Sequence, residues 1–524
     1  MAGLPPFIEA LTSPVAYPHP AGDIRLIQTH ISYVLLAGQF AYKIKKPLNL
    51  HFLDYSTIEK RRFMCEEEVR LNRRLCADAY IGVVPIVRRG GATYVGGAGE
   101  VIDYAVKMRR MPDGRMMPAL LRQAGVTFDD IRAVARTVAA FHRDSLTDAG
   151  IARFGRVDAV RRNWDENFEQ IAPYAGRLVE QAALDELRQY VEEFLRKNAG
   201  LMDGRADRGC VRDCHGDLRA DAIVIHEDGS ICVMDCIEFN DRIRFGDVAS
   251  DIGFLAMDLE FRGHGEFSDE LIGAYLRASD DETLPLMLNF YKCYRAAVRG
   301  KVDAMRGDEP EVPPADRAQA HAQASAYFSL ALSYARSAYP QVALMMIGLS
   351  GSGKSYIANA VAGRIGAVVV SSDLVRKRSA GVDPRQPMSA RYGEGMYGLA
   401  ERARVYNAMH ALAGEHLAAG RSVIVDATYL RRADRDAAAV MARDAGVPMI
   451  AIEVTAADST VRERLGQRAA RPDTPSDAGW EIHLAQRHDF EPPDEIAPEH
   501  RIQIDGGATL AANISKIVEA IARA

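Results

Sequence analysis

The sequence predicts a mixed α/β and α+β protein with two domains, the second built on a parallel sheet flanked by helices. Its 524 residues are too many for one ordinary hydrophobic core. The second half alternates short apolar runs with helical patterns, which is typical of a parallel sheet. An acidic, proline-rich segment at 307–316, GDEPEVPPAD, is the clearest break in the chain. We therefore predict a first domain over 1–310, a linker and connecting helix over 311–340, and a second domain over 341–524.

The composition excludes several classes of protein. The net charge of −6 argues against a general nucleic-acid-binding protein, although it leaves a local basic groove possible. No apolar run is long enough to cross a bilayer, and the first residues lack the pattern of a secretory signal, so we expect no membrane partner. The 7 cysteines are odd in number and scattered, which favours a cytoplasmic location over a disulfide framework.

The first half opens with strands and continues with helices. Residues 24–46 alternate as a hairpin does, with the turn at Ala37-Gly38-Gln39. In the second strand of this hairpin Lys43 and Lys45 share one face. A helix is then predicted over Ser56–Leu75, with Ser56 as its N-cap.

A second informative stretch, CVRDCHGDLRADAIVIHEDGSICVMDCIEFN, begins at Cys210. It predicts a loop, a strand over Ala222–Ile225, a turn and a strand over Ile231–Met234. Asp217 lies in the loop, and Asp235 ends the second strand. The four cysteines of this stretch also allow a zinc site. Their C-x-x-x-C spacing is not the usual C-x-x-C, however, and their alternation along a strand favours core packing.

The order of functional residues in this half is that of protein kinases: Lys on a strand, Glu in the next helix, H-G-D, then a second Asp. His215-Gly216-Asp217-Leu218, followed by Asp235, Gly246-Asp247 and Asp251, resembles the aminoglycoside phosphotransferases and related small-molecule kinases. The resemblance implies a bilobal, protein-kinase-like N-terminal domain. In such a domain Asp217 orients or deprotonates the acceptor hydroxyl, and Asp235 holds Mg²⁺. The upstream segments TIEKRRFMCEEEVRLNRRL and VKMRRMP resemble a bacterial branch in which this domain is fused to a P-loop kinase.

The same resemblance implies a lysine that contacts the ATP phosphates and a glutamate that positions it. Lys43 and Lys45 both fit the first role, and Glu67 and Glu68 both fit the second. Because neighbours on one face are equivalent in sequence, the choice stays open, and we favour Lys43 with Glu68.

One position departs from the family pattern H-G-D-L-x-x-x-N. The magnesium-binding Asn expected five residues after Asp217 is Ala222, whose methyl group cannot bind a metal. Asp221, one residue earlier, is a candidate substitute. Two interpretations stay open: an active kinase with altered metal binding, or a degenerate domain that regulates its neighbour.

The strongest motif lies in the second half, in VALMMIGLSGSGKS at 342–355. It has the form G-x-x-x-x-G-K-[ST] between a predicted strand and a helix, as a P-loop requires. Glycines let backbone N–H groups surround phosphate oxygens, the lysine reaches the β- and γ-phosphates, and the serine binds Mg²⁺. The sequence therefore predicts binding of ATP and Mg²⁺ by the eight residues of the motif: Gly348, Leu349, Ser350, Gly351, Ser352, Gly353, Lys354 and Ser355.

Four further residues resemble the P-loop kinases of the polynucleotide-kinase, zeta-toxin and gluconate-kinase type. Asp373 and Arg376 form D-x-x-R after the second strand, where the Asp would accept the hydroxyl proton and the Arg would bind a substrate phosphate or position the acceptor. Asp426 ends the third strand and would act on Mg²⁺. Arg468 resembles the lid arginine that stabilises charge in the transition state. A solvated basic face is its alternative interpretation.

Together these features predict an ATP-dependent phosphotransferase that moves the γ-phosphate to a hydroxyl of a small-molecule or nucleotide-like acceptor. The alternative is a switch that binds or hydrolyses ATP, with a degenerate N-terminal domain. The acidic net charge argues against nucleic-acid ends as acceptors, but it does not exclude them. The acceptor and the oligomeric state cannot be read from the chain.

Overall fold

The computed structural model describes residues 4–50, 53–279, 281–337, 339–379, 399–469 and 479–523. The chain packs as two compact units, and each unit is assembled from two separate parts of the chain. The first comprises Met1–Arg262 and Lys292–Leu332, and the second comprises Gly263–Tyr291 and Ser333–Ala524. Within the described residues, no helix has the length and apolar character that a membrane span needs.

The first unit begins with an antiparallel six-stranded sheet in the order β1-β2-β3-β8-β6-β7. Its other strands form the pairs β4–β5, β9–β12 and β10–β11. The twelve strands are β1 (Arg25–Gln28), β2 (Ser32–Ala37), β3 (Phe40–Lys45), β4 (Asn49–Leu50), β5 (Leu53–Asp54), β6 (Tyr80–Arg89), β7 (Ala92–Val95), β8 (Glu100–Arg109), β9 (Val211–Asp213), β10 (Ile223–Ile225), β11 (Ile231–Val233) and β12 (Phe245–Asp247).

The first twelve helices of the chain are α1 (Pro6–Ala10), α2 (Ile58–Asn72), α3 (Met117–Arg122), α4 (Phe128–Asp144), α5 (Ala149–Ala152), α6 (Val157–Ile171), α7 (Gln181–Asp207), α8 (Asp241–Arg244), α9 (Val248–Phe261), α10 (Gly265–Ser279), α11 (Pro285–Asp308) and α12 (Pro314–Arg336). Of these, α10, the first residues of α11 and the last residues of α12 belong to the second unit.

Two local predictions for the first unit can be compared with the structure. The predicted turn is present between β2 and β3, where Gly38 has φ of 58°, a value that favours glycine. The helix predicted over Ser56–Leu75 is shorter in the structure, where it runs from Ile58 to Asn72. Its N-cap is Thr57 rather than Ser56. The Thr57 side chain accepts a hydrogen bond from the Lys60 N–H.

One disulfide joins Cys76 to Cys232, and the other five cysteines carry thiols. The prediction that no disulfide framework exists therefore misses a single bridge between residues 156 positions apart. Because the Cys232 sulfur is bonded to Cys76, it is not available for the zinc arrangement considered above.

The second unit contains a five-stranded parallel sheet in the order β14-β15-β13-β16-β17. Its strands are β13 (Ala343–Ile347), β14 (Val368–Ser371), β15 (Val423–Asp426), β16 (Met449–Thr455) and β17 (Arg501–Asp505). Its remaining helices are α13 (Lys354–Ile365), α14 (Ser372–Ser379), α15 (Leu399–Ala418), α16 (Arg432–Asp444), α17 (Asp458–Ala469), α18 (Trp480–Asp489) and α19 (Leu510–Ile521). Alternate residues of β13 enter two separate apolar clusters, so both faces of the sheet are covered.

Helix α10 packs against α13 within this unit, although it precedes the predicted boundary in sequence. The Tyr356 hydroxyl hydrogen-bonds the Glu270 carboxylate, and the Arg277 guanidinium lies 4.6 Å from the centre of the Tyr356 ring. A Cβ on Gly363 would clash with Ile272, so the two helices approach closely. The units therefore divide the chain differently from the predicted ranges 1–310 and 341–524.

Candidate active sites

The first candidate site is built on β3 and α2 of the first unit. The Lys43 Nζ lies 2.8 Å from Glu68 Oε1 and 3.0 Å from Asp235 Oδ1. Burial alone would lower the pKa of Lys43, but the carboxylates of Asp235 and Glu68 raise it well above its ordinary value. Three of the predicted residues, which are far apart in sequence, thus meet as one ion-paired cluster.

A second, fully buried lysine lies behind this cluster. The Lys45 Nζ is 2.7 Å from Glu68 Oε2 and also pairs with Glu238, whose carboxylate accepts a hydrogen bond from Tyr55 at 2.7 Å. Both lysines reach Glu68, and Lys43 also reaches Asp235. Sequence reasoning missed Glu238 and Tyr55, because no local pattern distinguishes a glutamate that pairs with a lysine 193 residues away.

The candidate glutamates are also separated by the fold. Glu68 is fully buried, whereas Glu67 pairs with Arg70 one turn along α2. A glutamate on the solvent side of a helix cannot reach a lysine in the sheet, so Glu68 is the one that positions the lysines.

Buried hydrogen bonds hold the loop that carries Asp217. Asp251 accepts the backbone N–H of His215 at 2.7 Å and of Gly216 at 2.9 Å. The His215 ring Nε2 lies 2.9 Å from the Met234 carbonyl oxygen, one residue before Asp235. These contacts bring Asp217 and Asp235 to neighbouring segments of one site. Asp251 also lies close to His142 and Cys214, but its backbone contacts indicate that it holds the loop rather than a metal.

Asp217 itself is engaged by an arginine that the sequence analysis overlooked. Arg219 donates to both carboxylate oxygens, from Nε at 2.9 Å and from Nη2 at 3.1 Å. Burial would raise the pKa of Asp217, but the Arg219 guanidinium outweighs burial and the pKa is lowered. An ionised Asp217 is the form that can accept a proton.

Asp235 is the residue of the predicted metal site that could hold Mg²⁺. Its side chain is 60% exposed, and its backbone has φ of 61°, a strained value for a residue other than glycine. Ala222 is buried and offers no side-chain ligand. Asp221 is no substitute, because its Oδ2 accepts from Arg219 and Arg262, and two guanidinium groups would repel Mg²⁺.

The second candidate site is the loop between β13 and α13. Gly348, Gly351 and Gly353 have φ of 142°, 86° and 102°, which other residues rarely adopt. A Cβ at Gly348 would clash with the Val454 carbonyl oxygen. The loop therefore fits a phosphate cradle that only glycine can form, at the N-terminus of a twelve-residue helix.

The remaining residues of the motif fit the same ligand. The Lys354 Nζ donates to the Leu349 carbonyl oxygen at 2.8 Å, so the lysine lies along the loop. Ser355 is exposed at the start of α13, where its hydroxyl could bind Mg²⁺. The Ser352 hydroxyl is buried and makes no hydrogen bond within the described residues.

Two neighbouring helices also contact the loop. Gln486 of α18 accepts the Ser350 N–H at 2.8 Å, and the His483 ring lies 2.8 Å from the Ser350 carbonyl oxygen. Arg464 of α17 donates to the carbonyl oxygens of Ser352 at 3.2 Å and of Gly506 at 2.7 Å. These side chains position the loop backbone.

The predicted carboxylates lie at the ends of neighbouring strands. Asp426 is buried at the end of β15, where it pairs in register with Met346 of β13 and Ser371 of β14. Asp373 follows β14 in the first turn of α14, and its Oδ1 accepts from the Arg376 guanidinium at 2.9 Å. The fold thus places Asp426 between the strand that leads into the P-loop and the strand that leads to Asp373.

The predicted lid residue cannot be assessed in the same way. Arg468 belongs to α17, but its side chain lies outside the described residues. Tyr406 of α15 is 4% exposed and belongs to an apolar cluster of the sheet, so it is a core residue.

Comparison with known proteins agrees with both halves of this description. The phosphotransferase enzyme family matches residues 65–286, and an AAA domain matches residues 344–493. Uncharacterized protein Rv2004c of Mycobacterium tuberculosis (strain ATCC 25618 / H37Rv) is 33% identical over 472 residues, which cover 89% of this chain and 91% of the relative. Uncharacterized protein Mb2027c of Mycobacterium bovis matches with the same identity and coverage.

Solved structures resemble each half separately. A gluconokinase from Sinorhizobium meliloti 1021 is 23% identical, covers 36% of this chain and 94% of its own, and gives a TM-score of 0.25. Aminoglycoside 2′-phosphotransferase-IIIa in its GDP complex is 13% identical, covers 59% of this chain and 93% of its own, and gives a TM-score of 0.37. These similarities carry no information about the substrate.

Proposed function

Because the chain belongs to the same family as these mycobacterial proteins and joins a phosphotransferase-type domain to a P-loop kinase-type domain, we propose that it is an ATP-dependent phosphotransferase acting on hydroxyl groups. One observation carries the proposal. The P-loop, Asp426 and Asp373 lie at the carboxyl ends of three neighbouring strands in a parallel sheet. Open α/β sheets bind their ligands at the carboxyl ends of their strands.

In the second unit, each residue has a role that its position supports. Mg²⁺-ATP would supply the γ-phosphoryl group, with ADP as the leaving group. The P-loop N–H groups and Lys354 would bind phosphate oxygens, and Ser355 and Asp426 would hold Mg²⁺. Asp373 would accept the proton of the acceptor hydroxyl, and Arg376 would orient its carboxylate. A carboxylate base suits transfer to a hydroxyl better than simple ATP hydrolysis does.

We propose that the first unit carries a second transfer site. Lys43, positioned by Glu68, would bind the α- and β-phosphates, and Asp235 would hold Mg²⁺. Asp217 would accept the hydroxyl proton of a small-molecule or nucleotide-like acceptor. The lowered pKa of Asp217 is consistent with this role, since the base must be ionised.

A regulatory role for the first unit is the second candidate, and two observations favour it. Ala222 removes one expected metal ligand, and Arg219 covers both oxygens of Asp217. A unit that binds nucleotide without transferring phosphate would then control the second unit.

The test is transfer of label from γ-³²P-ATP, with Mg²⁺, into a small-molecule extract of cells. Wild type is compared with Lys354→Ala and Asp217→Ala. Two labelled products, each lost in one variant, would support transfer by both units. A product lost only with Lys354→Ala favours the regulatory role of the first unit. Release of free phosphate with no labelled acceptor would contradict the proposal.

A further inference from the structure

A cavity of about 360 Å³ opens in the first unit next to the Asp217 loop. A volume of this order accommodates a small metabolite. Charged side chains form much of its lining, namely Arg219, Arg262, Arg299, Asp221 and Asp303. Arg219 links the cavity to the reaction site, because it lines the cavity while two of its nitrogens donate to Asp217.

One wall of the cavity is aromatic. Phe261, at the end of α9, and Tyr327, on α12, also line it, and their rings stack with centroids 3.6 Å apart. Residues 311–340 were predicted as a linker and connecting helix. Tyr327 of this segment lines a cavity of the first unit.

The two lining carboxylates are not equivalent. Asp303 is 4% exposed and pairs with Arg299 at 3.1 Å, so it belongs to the protein interior. The Asp221 side chain is 49% exposed, and its Oδ2 bridges Arg219 Nη1 at 2.8 Å and Arg262 Nη2 at 2.9 Å. The Asp221 carboxylate thus lies between two guanidinium groups on the solvent side of the cavity. An anionic group of a ligand could take its place there. No described partner satisfies the buried Arg299 Nε, which is a further donor in the wall.

We infer that this cavity is the acceptor subsite of the first unit and that it takes a small hydroxyl compound bearing a phosphate or carboxylate group. Guanidinium groups bind such anions through paired, charge-assisted hydrogen bonds. Arg262 also pairs with the buried Asp258 at 3.0 Å, so a ligand gains donors here by taking the place of the exposed Asp221. A polycationic acceptor could not take that place, because guanidinium N–H groups only donate hydrogen bonds. The inference rests on the proposed function, since it takes Asp217 as the group that receives the acceptor proton.

The same arginine joins the cavity to the reaction site. Arg219 holds Asp217 through Nε and Nη2 while its Nη1 donates to Asp221, so an anion in the place of Asp221 would bind Nη1 without loss of the contacts with Asp217.

The experiment measures binding to the full chain by isothermal titration calorimetry without ATP. A Lys354→Ala background removes anion binding by the P-loop. The probes are glucose 6-phosphate, gluconate, glucose and the polycation kanamycin. Glucose 6-phosphate or gluconate should bind, with glucose and kanamycin at least tenfold weaker. The phosphate and carboxylate probes distinguish the two anion classes.

Two variants should move the affinity in opposite directions. Arg262→Gln should weaken the anionic probe by about ten- to hundredfold, because it loses a charged hydrogen-bond donor. Asp221→Asn should strengthen it several-fold, because the competing carboxylate is gone. Arg143→Gln, an exposed arginine paired with Asp144, is the matched control and should change nothing.

Equal binding of glucose, tighter binding of kanamycin, or weaker anion binding in Asp221→Asn would overturn the inference. Because Asp221→Asn is expected to gain affinity, misfolding of Arg262→Gln could not imitate the full pattern. Failure of the proposed function has a different signature. Anion binding would persist while no labelled product depended on Asp217.

Discussion

Replacing Lys45 with Met should unfold the first unit at a much lower temperature, whereas replacing Lys43 should mainly impair nucleotide binding. Lys45 is fully buried, and it neutralises Glu68 and Glu238. Its removal leaves Glu238 without a lysine inside the protein. Breaking a buried ion pair from one side costs about 3–5 kcal/mol. For a unit of about 300 residues the unfolding entropy is about 0.6 kcal/mol/K, so this corresponds to a fall of roughly 5–8 °C in unfolding temperature.

Lys43 differs because its side chain is 15% exposed and Glu68 keeps Lys45 when Lys43 is removed. Lys43→Met should therefore cost less stability than Lys45→Met. Differential scanning calorimetry of the full chain separates these cases, since the transition of the second unit should not move. Lys60→Met, an exposed lysine paired with Asp54, is the control. A Lys45→Met protein with wild-type unfolding temperature would refute the assignment of a structural role to Lys45.

Three further predictions concern the two sites. Gly348→Ala should abolish nucleotide binding by the second unit, because the added Cβ would clash with the Val454 carbonyl oxygen. Titration with a fluorescent nucleotide measures the affinity, and a wild-type value would contradict the prediction. Burial would raise the pKa of Glu68, but Lys43 and Lys45 lower it, so its stabilisation is present above about pH 4.5 and is lost as pH falls. Glu68→Gln should therefore flatten the acid limb of a stability-against-pH curve, and an unchanged slope there would count against the ion cluster. Gln486→Ala should release the Ser350 N–H of the P-loop and change the nucleotide affinity measurably. An affinity identical to that of the wild type would contradict the role of Gln486 in positioning the loop.

Local sequence was sufficient wherever the chemistry lies within a few consecutive residues. The P-loop is an example, because glycine conformation, Lys354 and Ser355 are all set within the eight residues from Gly348. The strand ends at Asp426 and Asp373 were also predictable, since buried strands are short apolar runs and parallel strands place their carboxyl ends at one edge.

Other features could not be predicted because they join distant parts of the chain. The buried pair of Lys45 and Glu238 spans 193 residues, and nothing near either residue indicates the other. Arg219 is only two residues from Asp217, yet sequence does not show that its side chain turns back onto the carboxylate. That direction depends on Asp221 and on the Arg262 that shares it.

The sequence by itself determined which chemistry the chain carries: a phosphate-binding loop, an H-G-D loop and carboxylates placed after strands. The tertiary structure decided how these parts are used. It placed α10 with the second unit, and it made Tyr327 of the predicted connecting helix part of the wall of the arginine-lined cavity. It also left Lys43 partly exposed while it buried Lys45 completely. The physical reason is range. Backbone conformation and periodicity act over a few residues, whereas burial and ion pairing depend on which distant surfaces meet.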